Sequence, residues 1–181
     1  MPRYCSSCGS SIGVRAPVVC PACGTAHWLK ASRAAAALVV RDGRLLLTQR
    51  ALEPWLGRWC APSGFCDGPE HPAATAERET LEEVGLHIRV IGYLGHWVDE
   101  YLPGGEDGVE PQYCAVAYYH AVPVGGLELS YQEDEVRDAG WFAPDELPDE
   151  LAPPLNGSRI YAAWSEAFRA GNLETPLPDV R

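Results

Sequence analysis

The stretch from Gly64 to Leu86, GFCDGPEHPAATAERETLEEVGL, constrains this chain more than any other part of it. Pro72 suits the first turn of a helix and Gly85 suits its end, so a helix is expected over Pro72–Val84. At about 100° per residue, Glu79, Glu82 and Glu83 fall within one sector of roughly 100°. Ala73, Ala76, Thr80 and Val84 fall on another side, which can face a core. Three carboxylates on one helix face repel one another unless positive charge lies between them. Divalent cations suit such a place, because hard cations prefer oxygen ligands and tolerate bridging carboxylates. Arg78 can orient one carboxylate through a bidentate contact. Gly64 and Gly68 let the preceding loop curl back, so that Glu70 approaches the same place.

The cysteines add a second constraint. There are seven, and the first four form two Cys-x-x-Cys pairs: Cys5 with Cys8, and Cys20 with Cys23. Two thiolates at that spacing grip one face of a tetrahedral ion, and a second pair closes the other face. The alternatives are two local disulfides or a redox pair. An odd cysteine count without an export signal argues against a disulfide framework, and no redox fold precedes the pairs. A structural zinc ribbon over residues 1–30 is therefore expected, with the metal supplying folding energy that so short a segment lacks. Four thiolates leave no open position, so this metal would be structural. Cys60, Cys66 and Cys114 read as small buried apolar residues.

Around these features the pattern is globular. Two apolar runs, 34–41 and 44–50, flank Asp42-Gly43, a hairpin signal. Short strands are expected at 58–62 and 136–142, longer ones at 87–98 and 112–122, and turn-rich loops at 63–70 and 99–111. One turn of helix is expected at 145–147. An amphipathic helix is expected over 158–170, with Ile160, Ala163, Trp164 and Phe168 along its stripe. The expected fold class is layered, α+β or α/β: a mixed sheet flanked by helices, with the small zinc ribbon before it. The expected divisions are 1–30, 34–170, and a tail over 171–181.

Composition narrows the partners. The longest apolar run, 34–40, is too short to span a membrane. The N-terminus lacks the basic end and apolar core of a secretory signal, so a cytoplasmic chain is expected. A formal net charge of −11 argues against nucleic acid as the main partner. It leaves nucleotides open, because metal ions held by carboxylates can in turn hold phosphates.

The 64–86 stretch resembles the Nudix signature. That signature is Gly, five residues, Glu, seven residues, Arg-Glu, an apolar residue, any residue, Glu-Glu, any residue, Gly and an apolar residue. Gly64, Glu70, Arg78, Glu79, Glu82, Glu83, Gly85 and Leu86 stand at those positions. Seven fixed residues at about 6% each match by chance on the order of once in a million sequences, which sets the stretch apart from an ordinary solvated helix face. The likeness covers roughly 34–150 and departs in small ways: Thr80 replaces an aliphatic residue, Ser63 a common Gly, and Gly68-Pro69 reverses the usual order.

The resemblance implies hydrolysis of a nucleoside diphosphate linked to another group, with Mg²⁺ or Mn²⁺ held by Glu79, Glu82 and Glu83. Arg78 and Glu70 would support them. Glu79 is one candidate for the base, and Glu135, six residues before Trp141, resembles a loop glutamate of several relatives. Glu133, Asp134 and Glu135 otherwise read as a solvated charge run. A four-cysteine ribbon before a Nudix domain resembles the NADH pyrophosphatase group. That group carries Ser-Gln-Pro-Trp after the box, where this chain reads GHWVDEY at 95–101. NADH, ADP-ribose or another ADP-linked compound is the implied substrate. Trp97, Tyr101 and Trp55 are candidates for stacking on a base, although aromatics in such strands more often belong to a core. His96 and His120 read as structural. A homodimer is a weaker expectation, and a non-catalytic nucleotide sensor, with the ribbon as its interaction module, is the alternative function.

Overall fold

Six consecutive residues, Ala34 to Val39, are buried in strand β3 (Ala31–Arg41), as a strand covered on both faces requires. In the computed structural model, which describes residues 4–13, 18–28, 30–104, 111–126, 128–131 and 133–175, the two faces of β3 look into two different cores. Ala35, Ala37 and Val39 pack with Ala76 and Val84 of helix α1 (Pro72–Val84). Ala36 and Leu38 pack with Ile160, Tyr161 and Trp164 of helix α2 (Gly157–Arg169). The layered α+β architecture follows from this alternation.

The short strands β1 (Val18–Val19) and β2 (Ala26–His27) pair with each other. The main sheet also contains β4 (Arg44–Arg50), β5 (Trp59–Cys60), β6 (Ser63–Phe65), β7 (Ile88–Leu102), β8 (Gln112–Pro123) and β9 (Val136–Phe142). Its order is β5-β4-β3-β8-β7, with β6 also pairing β3 and β9 also pairing β4. The β3–β4 hairpin turns at Asp42-Gly43, with Arg41 opposite Arg44. Residues 63–65, expected in a loop, are strand β6, because Ser63, Gly64 and Phe65 pair with Ala36, Ala35 and Ala34.

Two further expectations change. Strand β7 does not stop at Val98 but continues to Leu102, and its Asp99 is buried and accepts a hydrogen bond from Asn156 Nδ2 at 2.9 Å. The helical turn expected at 145–147 is a non-helical bend, held by the Glu146 N–H donating to the Ala143 carbonyl at 2.9 Å. Parts of the expected 99–111 loop and the 171–181 tail lie outside the described residues.

The chain divides into two units, Arg33–Asp99 with Ala115–Arg181, and Met1–Ser32 with Glu100–Cys114. Among the described residues no helix is long and apolar enough to cross a membrane.

Candidate active site and metal centre

Helix α1 begins and ends where its sequence directs. His71 accepts the Ala73 N–H through Nδ1 at 3.1 Å, and Pro72 fills the first turn, where its missing N–H costs nothing. Gly85 closes the helix at φ 69°, a left-handed conformation that favours glycine, and its N–H donates to the Leu81 carbonyl at 2.9 Å. Thr75, Ala76, Thr80 and Val84 are buried against the sheet. The opposite side carries the acids. Gly64 of β6 passes so close to Glu79 that a Cβ there would overlap the Glu79 carboxyl group.

Arg78 is the hub of this face. Its Nε and Nη2 donate to the two oxygens of Glu70 at 3.0 and 2.9 Å, a bidentate fork. Its Nη1 donates to Glu79 Oε1 and Glu82 Oε2, both at 2.8 Å, and its Nη2 also reaches the Phe65 carbonyl at 3.1 Å. The Arg78 guanidinium and the Thr75 hydroxyl hold the Glu70 carboxyl down at about 2. These carboxylates in turn push the Arg78 pKa above its usual value, the Glu70 bond contributing most.

Glu83 lies at the inner end of the cluster. Its carboxylate accepts the Ser63 N–H at 3.2 Å and the Thr48 hydroxyl at 3.4 Å. Burial pushes its pKa up to about 8, and the nearby charges of Glu79 and Glu135 push the same way. Burial also raises Glu79, with Glu82 and Glu135 adding to the rise against the pull of Arg78. The charge of Glu135, from a segment well beyond the helix in sequence, thus acts on the cluster, and its backbone is pinned by the Ala51 N–H donating to its carbonyl at 2.9 Å.

Arg50 escaped the sequence reading. It lowers the Glu83 pKa by its charge, donates through Nε to the Pro54 carbonyl at 2.7 Å, and lies 5.7 Å over the Trp55 ring. A signal was present: Leu46, Thr48 and Arg50 alternate along β4, and Leu46 packs in the core beneath α1. Of the expected stacking residues, Trp55 reaches this neighbourhood through Arg50. Trp97 instead packs edge-on against Tyr118 at 5.5 Å in the core beneath α2. Tyr101 belongs to the N-terminal unit.

In that unit the Sγ atoms of Cys5, Cys8, Cys20 and Cys23 all lie within 4.8 Å of one another. The two knuckles repeat one hydrogen-bond pattern. The Cys5 and Cys20 N–H groups donate to the Ser10 and Thr25 carbonyls at 2.8 Å each, and the Gly9 and Gly24 N–H groups return to the Cys5 and Cys20 carbonyls at 2.9 Å each. The Sγ–Sγ distances of 3.5 Å for Cys5–Cys23 and 3.7 Å for Cys8–Cys20 fit a tetrahedral zinc. Metal–sulfur bonds of about 2.3 Å put such sulfurs about 3.8 Å apart. Burial raises the Cys5 thiol, but hydrogen bonds from Ser7, His27 and its cysteine neighbours outweigh it and bring the pKa to about 5. Burial pushes Cys20 up to about 11, a cost that a bound cation would remove.

Residues 30–163 match the family model described as the NUDIX domain. The chain belongs to the NUDIX family. Its carboxylate helix is the NUDIX box, and its sheet carries the NUDIX fold. A crystal structure of a NUDIX hydrolase from Nitrosomonas europaea has the same fold, with a TM-score of 0.69 and 22% identity over 92% of this chain and 90% of that one. A MutT NUDIX hydrolase from Burkholderia pseudomallei gives a TM-score of 0.63 at 27% identity, over 74% of this chain and 98% of that one. In sequence the chain is 32% identical over 179 residues to the NAD-capped RNA hydrolase NudC of Stutzerimonas stutzeri, covering 97% of this chain and 60% of that protein. It is 30% identical over 135 residues to human mitochondrial NAD(P)H pyrophosphatase NUDT13, covering 74% of this chain and 35% of that protein. The chain therefore spans about 60% of the length of the NudC proteins that match 97% of it.

Proposed function

We propose that this NUDIX chain hydrolyses the diphosphate of a nucleoside diphosphate linked to another group, using divalent cations. The observation that carries the proposal is the crowding of Glu79, Glu82 and Glu83. Arg78 bonds Glu79 and Glu82, Arg50 acts on Glu83 by its charge, and burial and neighbouring acids still hold Glu83 at about 8. Such a group favours a proton or a cation. Mg²⁺ or Mn²⁺ at these three glutamates would neutralise the diphosphate and lower the pKa of a bound water.

The protein's own groups divide the remaining work. Arg78 fixes Glu70, Glu79 and Glu82 in one array, and Ser63 and Thr48 aim Glu83 into it. Glu135 takes the proton of the attacking water, with Glu79 as the other base in reach. Arg50 offers a guanidinium to a phosphate oxygen, supported from behind by Trp55 and Pro54.

The relatives' names suggest NADH and NAD-capped RNA as substrates, with NAD and ADP-ribose as further ADP-linked compounds. Expecting no nucleic-acid partner rested on net charge alone, and the capped-RNA relatives argue against that expectation. The charge is also unevenly spread. Residues 1–32 contain Arg3, Arg15 and Lys30 and no acid, which leaves −14 for the remainder. Even with two net negative charges at a four-thiolate zinc, that segment stays positive. The cysteine cluster we assign to a structural zinc.

A panel of NADH, NAD, ADP-ribose, ADP-glucose, dinucleoside polyphosphates and NAD-capped RNA, incubated with Mg²⁺ or Mn²⁺, tests the reading. Turnover by the wild type and its loss in Glu83→Gln is expected. Two inert proteins, with one compound still bound, would replace the hydrolase with a sensor.

A further inference from the structure

A cleft of about 330 Å³ lies beside the first turn of α1, apart from the glutamates and within the larger unit. Its side chains include Arg33, His71, Tyr93, His96, Ala117 and Tyr119. We propose that this cleft receives the planar base of the nucleotide half of the substrate; the assignment rests on the hydrolase reading above.

The lining is built from ring faces over a floor of small residues. Tyr93 and Tyr119 have ring centroids 5.4 Å apart, tilted by 52°. The Tyr93 hydroxyl lies 3.2 Å from His96 Nδ1, which ties the His96 ring to the same wall. His71 is fixed by its capping bond to the Ala73 N–H. The space exists because alanines stand at Ala34, Ala73, Ala115 and Ala117, where any large side chain would fill it. The volume is at the lower end for a small-molecule site, which is typically about 300–1,000 Å³. A flat, apolar-faced ring suits these walls better than a sugar or a flexible chain.

Charge and continuity select a nucleotide's ring. Among the described residues no carboxylate lines the cleft, although the chain carries −11 overall, and Arg33 contributes a guanidinium that is held by the Gly68 carbonyl. An attached phosphate is therefore tolerated. His71 directly follows Glu70, whose carboxyl is gripped by the same Arg78 that holds Glu79 and Glu82. Along the helix axis Ala73 stands about 9 Å from Glu79 and about 14 Å from Glu82, at 1.5 Å per residue. A base in the cleft can thus belong to a molecule whose diphosphate lies at the glutamates. The histidine in GHWVDEY is then a wall of the base site, whereas the sequence alone reads it as structural.

Binding of AMP to the full chain, followed by ligand-observed NMR with no added divalent ion, tests the assignment separately from catalysis. Saturation is expected at the adenine protons, and ribose 5-phosphate, which lacks the ring, is expected not to compete. Tyr93→Ala, which removes a ring, and Ala117→Phe, which fills the floor, are each expected to weaken AMP on the order of tenfold. Tyr93→Phe keeps the ring and should stay within about threefold of wild type, since it gives up only one hydroxyl contact. In turnover the first two variants should raise KM for the preferred substrate far more than they lower kcat. Circular dichroism shows which variants are folded, and Ala117→Phe decides the matter alone if Tyr93→Ala is not. Unchanged AMP affinity in the folded variants would overturn the assignment, as would a wild type that hydrolyses its substrate but does not bind AMP. AMP binding that responds to these variants, in a protein that hydrolyses nothing, would leave the cleft standing and overturn the hydrolase reading.

Discussion

Replacing Glu83 with Gln is expected to make the metal-free protein more stable in mild alkali while depriving it of activity. In the unfolded chain a glutamate titrates near about 4.3, whereas in the fold Glu83 titrates at about 8. Between these values the folded state holds one more proton than the unfolded state. Stability must then fall as pH rises through the window, and the full loss is present above it. At about 1.4 kcal/mol per unit the shift sets a ceiling of about 5 kcal/mol. The shift is shared through coupling to Glu79 and Glu135, and the carboxylate keeps its bonds from Ser63 and Thr48, so roughly 1–2 kcal/mol is expected. The amide of Gln keeps an acceptor for the Ser63 N–H and cannot ionise. For a domain of this size that stabilisation raises Tm by roughly 2–8 °C. The assay is calorimetry of both proteins at pH 6 and pH 8.5 without added Mg²⁺ or Mn²⁺, so that the cysteine site is left undisturbed. The difference in Tm between the two proteins should widen with pH. Added Mn²⁺ should raise Tm in the wild type only, because a cation takes the place of the proton. A difference that does not change with pH would mean that the carboxyl titrates alike in both states and that burial does not raise it.

Other expectations follow from single contacts. Gly64→Ala puts a methyl group into the Glu79 carboxyl and should cut turnover by about a hundredfold with little change in the circular dichroism spectrum; near-normal kcat would show that Glu79 can move freely. Arg78→Lys replaces a fork that serves three glutamates and the Phe65 carbonyl with a single ammonium, and should lower kcat about tenfold or more in steady-state assays. Burial holds His120 at about 4, so its unfolded form binds the extra proton between about 6.5 and 4 and stability is lost as pH falls through that window; His120→Leu should flatten the acid limb of a Tm–pH profile. Cys8→Ser should lower the zinc content of the purified protein well below one ion per chain by atomic emission.

Helix α1 was legible residue by residue because its limits are local: Pro72 and Gly85 act on the backbone within one turn, and the acid sector follows from helical spacing. The cysteine knuckles were legible for the same reason. Arg50 and Thr48 were not, because their relation to Glu83 depends on β4 lying beside β5 and opposite α1. Trp97 shows the converse: an aromatic in a strand can face either layer, and pairing turned this one toward α2. Strand β7 outran its expected end because the buried Asp99, a poor strand residue by propensity, is held by Asn156 from a distant segment. Glu135 was suggested only by likeness to relatives; its charge reaches Glu79 and Glu83 because β9 starts alongside the end of β4.

In the proposed reaction the glutamates of α1 direct water onto a diphosphate with the help of divalent ions. The most direct measurement is mass spectrometry of the phosphate products formed in ¹⁸O-labelled water from the preferred substrate, for wild type and Glu83→Gln, with and without Mg²⁺. One ¹⁸O atom is expected in one of two monophosphate products, from the wild type and only with the divalent ion. Labelled product without the ion, or in equal amount from Glu83→Gln, would contradict the proposed reaction.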